Sequence, residues 1–442
     1  MSGFHLKAWV KKNGVLFLAV ALFFLGAADY YYYYKRLYPG IFLKDTCLGK
    51  QTLSEAAEAV NDLIITFTGP DGDDAPFALR DMGIEPFIEE IILDGYGKGR
   101  EQSWPFNTLE RQQVRKGTPL PLRYRFNEER FNKSIEHLDQ TFSKEPVDAS
   151  FQIVNGEVKF CPETYGYRVN KVLLAEKIKL HLNDTQAPLS LSVPAERVSP
   201  SITASYFEDK GITAEMALYS TAFDPSVENR VYNIELAADT INHYLLEPQD
   251  VFSFNRVIGK TTPEKGYKEA PIIQGGEFSM GYGGGICQVS TTLYNAVLLA
   301  NLHIIERHPH LYIRPYVPPG RDATVFDHVY DLTFKNNRDH DILIVTHVEV
   351  GEIYIAIIGA PMKEKVEIVT REIYFTDPPT KTKLTGDLPP GEEETIPGSP
   401  GGQVEVWRVV YYPGGEKQEE LLFVDTYYPY PTIIMKGMDD GA

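Results

Sequence analysis

Cysteine and tryptophan are scarce, with three of each in 442 residues. Cys47, Cys161 and Cys287 lie more than 100 residues apart, so no C-x-x-C pair exists, and an odd number cannot pair completely within one chain. A disulfide-stapled fold and a cysteine-rich zinc module are therefore excluded, and the sequence points to no metal and no cofactor. Basic charge is also short: 43 Lys and Arg face 61 Asp and Glu, a net charge of −18. The first 40 residues carry +4, so the remaining 402 carry −22. A body this acidic repels phosphate backbones, which argues against nucleic-acid partners. The one glycine cluster lacks the Gly-Lys-Ser/Thr ending of a phosphate loop. What is present is ordinary for globular protein: 43% apolar and 24% charged residues. At roughly 150 residues per domain the length allows about three folded units.

One long apolar run exists. Gly14 to Ala28 (GVLFLAVALFFLGAA) follows Lys11 and Lys12 and precedes Tyr30 to Tyr34. Counted to Tyr34 the stretch has 21 residues, and about 20 helical residues cross a bilayer's hydrocarbon core. Tyrosine favours the membrane–water interface, which suits an aromatic belt on the exit side. The reading is a signal-anchor over 13–34 with a short cytoplasmic N-terminus, 1–12, and an extracytoplasmic body. A cleaved signal peptide, with Gly26-Ala27-Ala28 as its small-residue site, and a buried helix are the alternatives.

Beyond this run the chain reads as α+β. Thr52 and Glu55 have capping-box spacing ahead of an amphipathic helix. Glu128 to Phe142 places Phe131, Ile135, Leu138 and Phe142 on one helical stripe. FQIVNGEVKF contains two alternating runs meeting at Asn155-Gly156, a hairpin signal. Helix Val172–Leu182 and strand Leu189–Val193 follow, and SVPAERVSPSIT reads as a linker between a unit at 41–200 and one at 210–360. The second unit shows a helix over Arg230–His243, then VFSFN as a strand, and later the strands YDLTF, DILIVTHVEV and EIYIAIIG. From Pro361 to the end no helical period appears. Fifteen acids stand against eight bases there, and short alternating strands turn at Pro413-Gly414-Gly415. This reads as an all-β module over 361–442.

The passage with the most chemistry is GYGGGICQVSTTLYNAVLLAN. Glycines permit close backbone approach and unusual dihedrals just before a helix. Val289, Leu293, Ala296, Val297 and Ala300 form its apolar stripe and put Cys287 in the first turn. Free amides and the positive dipole end favour a thiolate there, and neighbouring amides suit an oxyanion. A nucleophilic thiol needs a base and an orienting group. His308, His310, His328, Asp322 and Asp327 follow in ERHPHLYIRPYVPPGRDATVFDH. The competing reading is a buried structural cysteine, with Gln288, Ser290 and Thr291 satisfying backbone groups and Arg321-Asp322 an ion pair fixing a loop. Cys47 and Cys161 read as structural.

RVYNIELAADTINHYLLEPQDVFSFNRVIGKTTPEKGYKEAPIIQGGEFSMGYGGGICQVSTTLYNAVLLANLHIIERHPH, followed by YVPPGRDATVFDHVYDLTFKNN, resembles the VanW family over about 215–360. The family is named for a protein of vancomycin-resistance clusters in Gram-positive bacteria, and its activity is not established. Its signature falls here on Asn255, Gly283, Gly284, Gly285, Cys287, Gln288, Ser290, Thr291, Thr292, Tyr294, Arg307, His310, Gly320, Arg321, Asp322 and Asn336. Leu311 departs from the serine that commonly follows the histidine. DTCLGKQTLSEAAEAV and VDASFQIVNGEVKFCPETYGYRVN resemble the peptidoglycan-binding domain often found before VanW domains. LPPGEEETIPGSPGGQVEVWRVVYYPGGEKQEE through PTIIMKG is similar to the G-five domain, whose members are thought to bind N-acetylglucosamine-containing polymers.

The resemblance implies a membrane-anchored, extracytoplasmic cell-wall protein that binds peptidoglycan or another N-acetylglucosamine-containing glycan, with a link to glycopeptide resistance or wall remodelling. On that reading Gly284, Gly285, Gln288, Ser290, Thr291, Arg321, Trp407 and Tyr411 are candidate ligand contacts, the last two as rings stacking on sugars. The alternative is a transglutaminase-like thiol hydrolase or transpeptidase acting on wall peptides. Cys287 would be its nucleophile, His310 or His308 its base and Asp322 its orienter.

Overall fold

The computed structural model describes residues 3–102, 107–274, 277–326 and 329–438. Asp327 and His328 lie outside these. The chain is mixed α+β and divides into two compact units, 1–147 with 164–200, and 148–163 with 201–442.

In the first unit a helix runs over Gly3–Tyr32. Among the described residues no helix is long and apolar enough to cross a membrane, which corrects the expected span at 13–34. The expectation counted Asp29 to Tyr34 as membrane sequence, yet Asp29 pairs with Arg111 at 3.1 Å and Arg115 at 2.7 Å. Tyr33 is buried in the unit's core with Leu37 and Tyr38. What remains is the run from Gly14 to Ala28, about 22 Å long at 1.5 Å per residue, against a hydrocarbon core of about 30 Å.

The helix Leu53–Asn61 opens with a complete capping box, the Glu55 amide donating to the Thr52 hydroxyl at 3.2 Å and the Thr52 amide to the Glu55 carboxylate at 2.8 Å. Such a cap is worth about 1 kcal/mol. Strand Ile64–Thr68 pairs antiparallel with Asp74–Ala78 and parallel with Ser190–Ser192. Helices Glu128–Phe142 and Lys171–Asn183, capped by Asn127 and Asn170, cover this core with Phe131, Ile135, Leu138, Leu174 and Ile178. The expected linker SVPAERVSP contains a strand, Ala195–Val198, because Gly166–Val169 supplies it with an antiparallel partner.

The second unit is built on a four-stranded antiparallel sheet in the order Ala214–Ala222, Glu352–Gly359, Ile342–Glu349, Tyr244–Leu246. Its central strands are apolar at successive positions because both faces are covered. Ile342, Ile344, Ile353, Ile355 and Ile357 join a core with the helices Glu228–Ile241 and Ile286–Leu299. Leu343, Val345, Ala356 and Ile358 face Phe151, Ile153, Phe207 and Ile212 on the other side. The Asn155-Gly156 hairpin therefore packs with this unit. Its last part is all β. Strands Lys365–Thr376, Gly401–Tyr411 and Lys417–Tyr427 form one sheet, and Thr380–Thr385, Thr432–Gly437 and Glu393–Ile396 another.

Candidate functional site

The helix Ile286–Leu299 starts where a side chain cannot be accommodated. Gly285 is its N-cap at φ +114°, and a Cβ there would meet Ile234 Cγ1 at 2.9 Å and the Arg230 carbonyl at 3.1 Å. At Gly284 a Cβ would lie 2.7 Å from the Pro271 carbonyl. These glycines seat the helix N-terminus closely against its neighbours. Ile286 and every residue from Gln288 to Leu298 are buried, whereas Cys287 is half-buried. The Ile286 and Gln288 amides bond back to Gly283 and Gly285. Among the described residues the Cys287 amide has no backbone partner, so it is free to donate to an incoming oxygen.

The polar side chains after Cys287 dock the segment that carries Asp322. Ser290 donates to the Ala323 carbonyl at 2.8 Å, and the Ala323 amide donates to the Thr291 hydroxyl at 3.0 Å. Asn295 donates to the Arg321 carbonyl at 2.7 Å and accepts from the Arg321 guanidinium. Gln288 donates to Thr221 and to the Ala222 carbonyl, and accepts from Arg230 at 2.6 Å. Gln288, Ser290, Thr291 and Arg321 thus hold the site's framework together.

That framework brings Cys287, His310 and Asp322 together. Both the His310 amide and its Nδ1 lie 2.6 Å from Asp322 Oδ2. With the carboxylate accepting, Nδ1 carries the proton, and the ring also acts electrostatically on the Cys287 thiol. The thiol also lies 3.4 Å from the Val325 carbonyl. Asp322 Oδ1 accepts from the Tyr427 hydroxyl at 2.5 Å and from Arg307 at 3.3 Å.

The electrostatics follow from these contacts. Burial pushes the Cys287 thiol up, but the hydrogen bond and charge of His310 outweigh it and leave the thiol below its usual range. Burial lowers His310, and bonds to Asp322 and Cys287 reverse that, so the ring holds its proton more tightly than an ordinary histidine. Burial raises Asp322, yet His310, Arg307 and Tyr427 bring its carboxyl down to about 2. The set favours thiolate, imidazolium and carboxylate in a row.

His308 is not part of this row. Its Nε2 lies 3.0 Å from a Glu306 carboxylate oxygen and its ring packs on Tyr330. Trp407 and Tyr411 sit on the strand Gly401–Tyr411, where Arg371 lies over the indole at 4.6 Å and the Tyr411 hydroxyl bonds Glu367 at 3.2 Å. Three groups near the thiol carried no sequence signal of a role. Arg230, Arg314 and Tyr316 all interact electrostatically with Cys287. Asp425 and Tyr427 were equally hidden, being more than 100 residues from the groups they touch.

Comparison with known proteins fits this architecture. Residues 229–358 match the family described as "VanW like protein", and residues 76–189 match "Putative peptidoglycan binding domain". The chain is 39% identical to the protein YoaR of Bacillus subtilis (strain 168), over 51% of this chain and 73% of that protein. It is 34% identical to the vancomycin B-type resistance protein VanW of Enterococcus faecalis (strain ATCC 700802 / V583), over 28% of this chain and 48% of that one, about half its length. The chain belongs to the VanW-like family. Its family and its second matched domain together give it a cell-wall-associated function. Among solved structures the IgA1 protease G5 domain is similar at 24% identity and a TM-score of 0.13, covering 19% of this chain and 100% of that one.

Proposed function

We propose that the protein binds peptidoglycan and that its VanW-like region performs thiol-dependent acyl transfer on wall peptides. The observation that carries the catalytic part is His310, hydrogen-bonded to Asp322 at 2.6 Å and acting on the Cys287 thiol electrostatically. In this reading the Cys287 thiolate attacks a peptide carbonyl and forms a C–S bond. The Cys287 amide donates to the developing oxyanion. The C–N bond then breaks, and the leaving amine takes the proton from His310. Water or an acceptor amine next attacks the thioester while His310 accepts its proton, giving hydrolysis or transpeptidation and a regenerated thiolate.

The test is incubation of the purified chain with peptidoglycan fragments, followed by mass spectrometry of protein and products. An acyl adduct on Cys287 and altered peptides, both absent in Cys287→Ala, are expected. Unchanged fragments and no adduct would remove the catalytic reading. Co-sedimentation with insoluble peptidoglycan tests binding separately, since Cys287→Ala should still sediment.

Access to such a substrate requires the body to lie outside the cytoplasm. Protease added to intact protoplasts should then digest the body, and protection would overturn this placement.

A further inference from the structure

The carboxylate that orients His310 is held from the far side by the C-terminal β segment. Asp322 can orient the ring only if it does not rotate, so what binds its other oxygen matters. Oδ1 accepts from Tyr427 at 2.5 Å and from Arg307 Nη2 at 3.3 Å. The same Tyr427 oxygen accepts the Gly320 amide at 2.7 Å, which fixes the start of the Gly320–Val325 segment. Arg307 is in turn held by Asp425 at 2.6 Å. Asp425 and Tyr427 stand two apart on the strand Lys417–Tyr427 and so point to the same face. Asp322, Arg307, Asp425 and Tyr427 are all buried, 1%, 6%, 4% and 2% exposed, so a lost partner leaves a buried polar atom unpaired.

We propose that the strand Lys417–Tyr427 is part of the thiol site, with Tyr427 and Asp425 as positioning residues that hold Asp322, and through it His310, in register with Cys287. This deepens the acyl-transfer reading and rests on it. It gives the β segment a role that needs no glycan. The charged and titratable groups facing the row among the described residues include His310, Arg230, Arg314 and Tyr316 around the thiol, and Arg307, Asp425, Tyr427, Tyr294 and Arg321 around the carboxylate.

The full chain carrying Cys47→Ser and Cys161→Ser presents Cys287 as its one thiol. Iodoacetamide labelling is followed from about pH 5 to 9 in this background and in His310→Gln, Tyr427→Phe and Asp425→Asn, with thermal melting alongside. The background should label well below the ordinary thiol range, and His310→Gln should restore an ordinary profile. Tyr427→Phe should move the midpoint toward that of His310→Gln, about a tenfold slower reaction near pH 6 for each unit moved. If Tyr427→Phe does not fold, Asp425→Asn decides by the same criterion. A background that already labels as an ordinary thiol overturns the acyl-transfer reading itself. A depressed midpoint that His310→Gln abolishes, but Tyr427→Phe leaves in place while melting falls, overturns only the positioning role.

Discussion

Asp322 concentrates more of this site's physics than any other side chain. It is buried, accepts from His310, Arg307 and Tyr427, and holds its proton only below about pH 2. Its unfolded value is about 3.9. Because the folded value is the lower one, ionised Asp322 contributes stability that is fully present above pH 4 and lost as pH falls from about 4 to about 2. A shift of this size corresponds to about 2–3 kcal/mol. Urea midpoints measured between pH 2 and 6 should therefore fall less steeply toward acid in Asp322→Asn than in the native chain. Above pH 5 the variant should be the less stable of the two. Parallel acid limbs would mean that another carboxylate governs acid unfolding.

At the scale of elements, the sequence was legible wherever the governing interactions are local. Helix Glu128–Phe142 has the expected bounds because its apolar stripe and the Asn127 cap lie within a few residues of one another. Cys287 falls in a first turn because glycines permit the approach and the apolar stripe begins immediately after it. The pattern of VFSFN suggests a strand throughout, but Ser253 caps a short helix, Phe254–Ile258, by accepting from the Arg256 amide at 3.1 Å. The choice between His308 and His310 was not legible. Both flank Pro309, and only the partners settle which ring meets Asp322. Nothing in the local pattern marked Asp425 or Tyr427, since strand alternation is silent about contacts made across 100 residues. The helix start itself makes a sharp prediction. Gly285→Ala places a Cβ at φ +114° and 2.9 Å from Ile234, so it should cost at least about 1–2 kcal/mol in urea unfolding. It should also slow Cys287 labelling, because the first turn must shift. A neutral substitution would show that the turn has room to relax.

At the scale of the whole molecule, the chain's order and its cores do not coincide. The hairpin Ser150–Cys161 lies between two stretches of the first unit in sequence, yet it covers the sheet of the second. Phe151 is buried there, its ring 5.1 Å from Phe160 and 5.3 Å from Phe207, beside Leu343, Val345, Ala356 and Ile358. The sheet that carries the cysteine helix on one face thus depends for its other face on a segment that sequence order would assign elsewhere. Removing the ring should act on that sheet and spare the nearer neighbours in sequence. Phe151→Ala in the full chain should cost about 3–5 kcal/mol. Hydrogen exchange should show lost protection in the strands Ala214–Ala222, Ile342–Glu349 and Glu352–Gly359, while the helices Glu128–Phe142 and Lys171–Asn183 keep theirs. Protection lost from those helices, with the sheet unchanged, would place the hairpin in the first unit's core and refute this assignment.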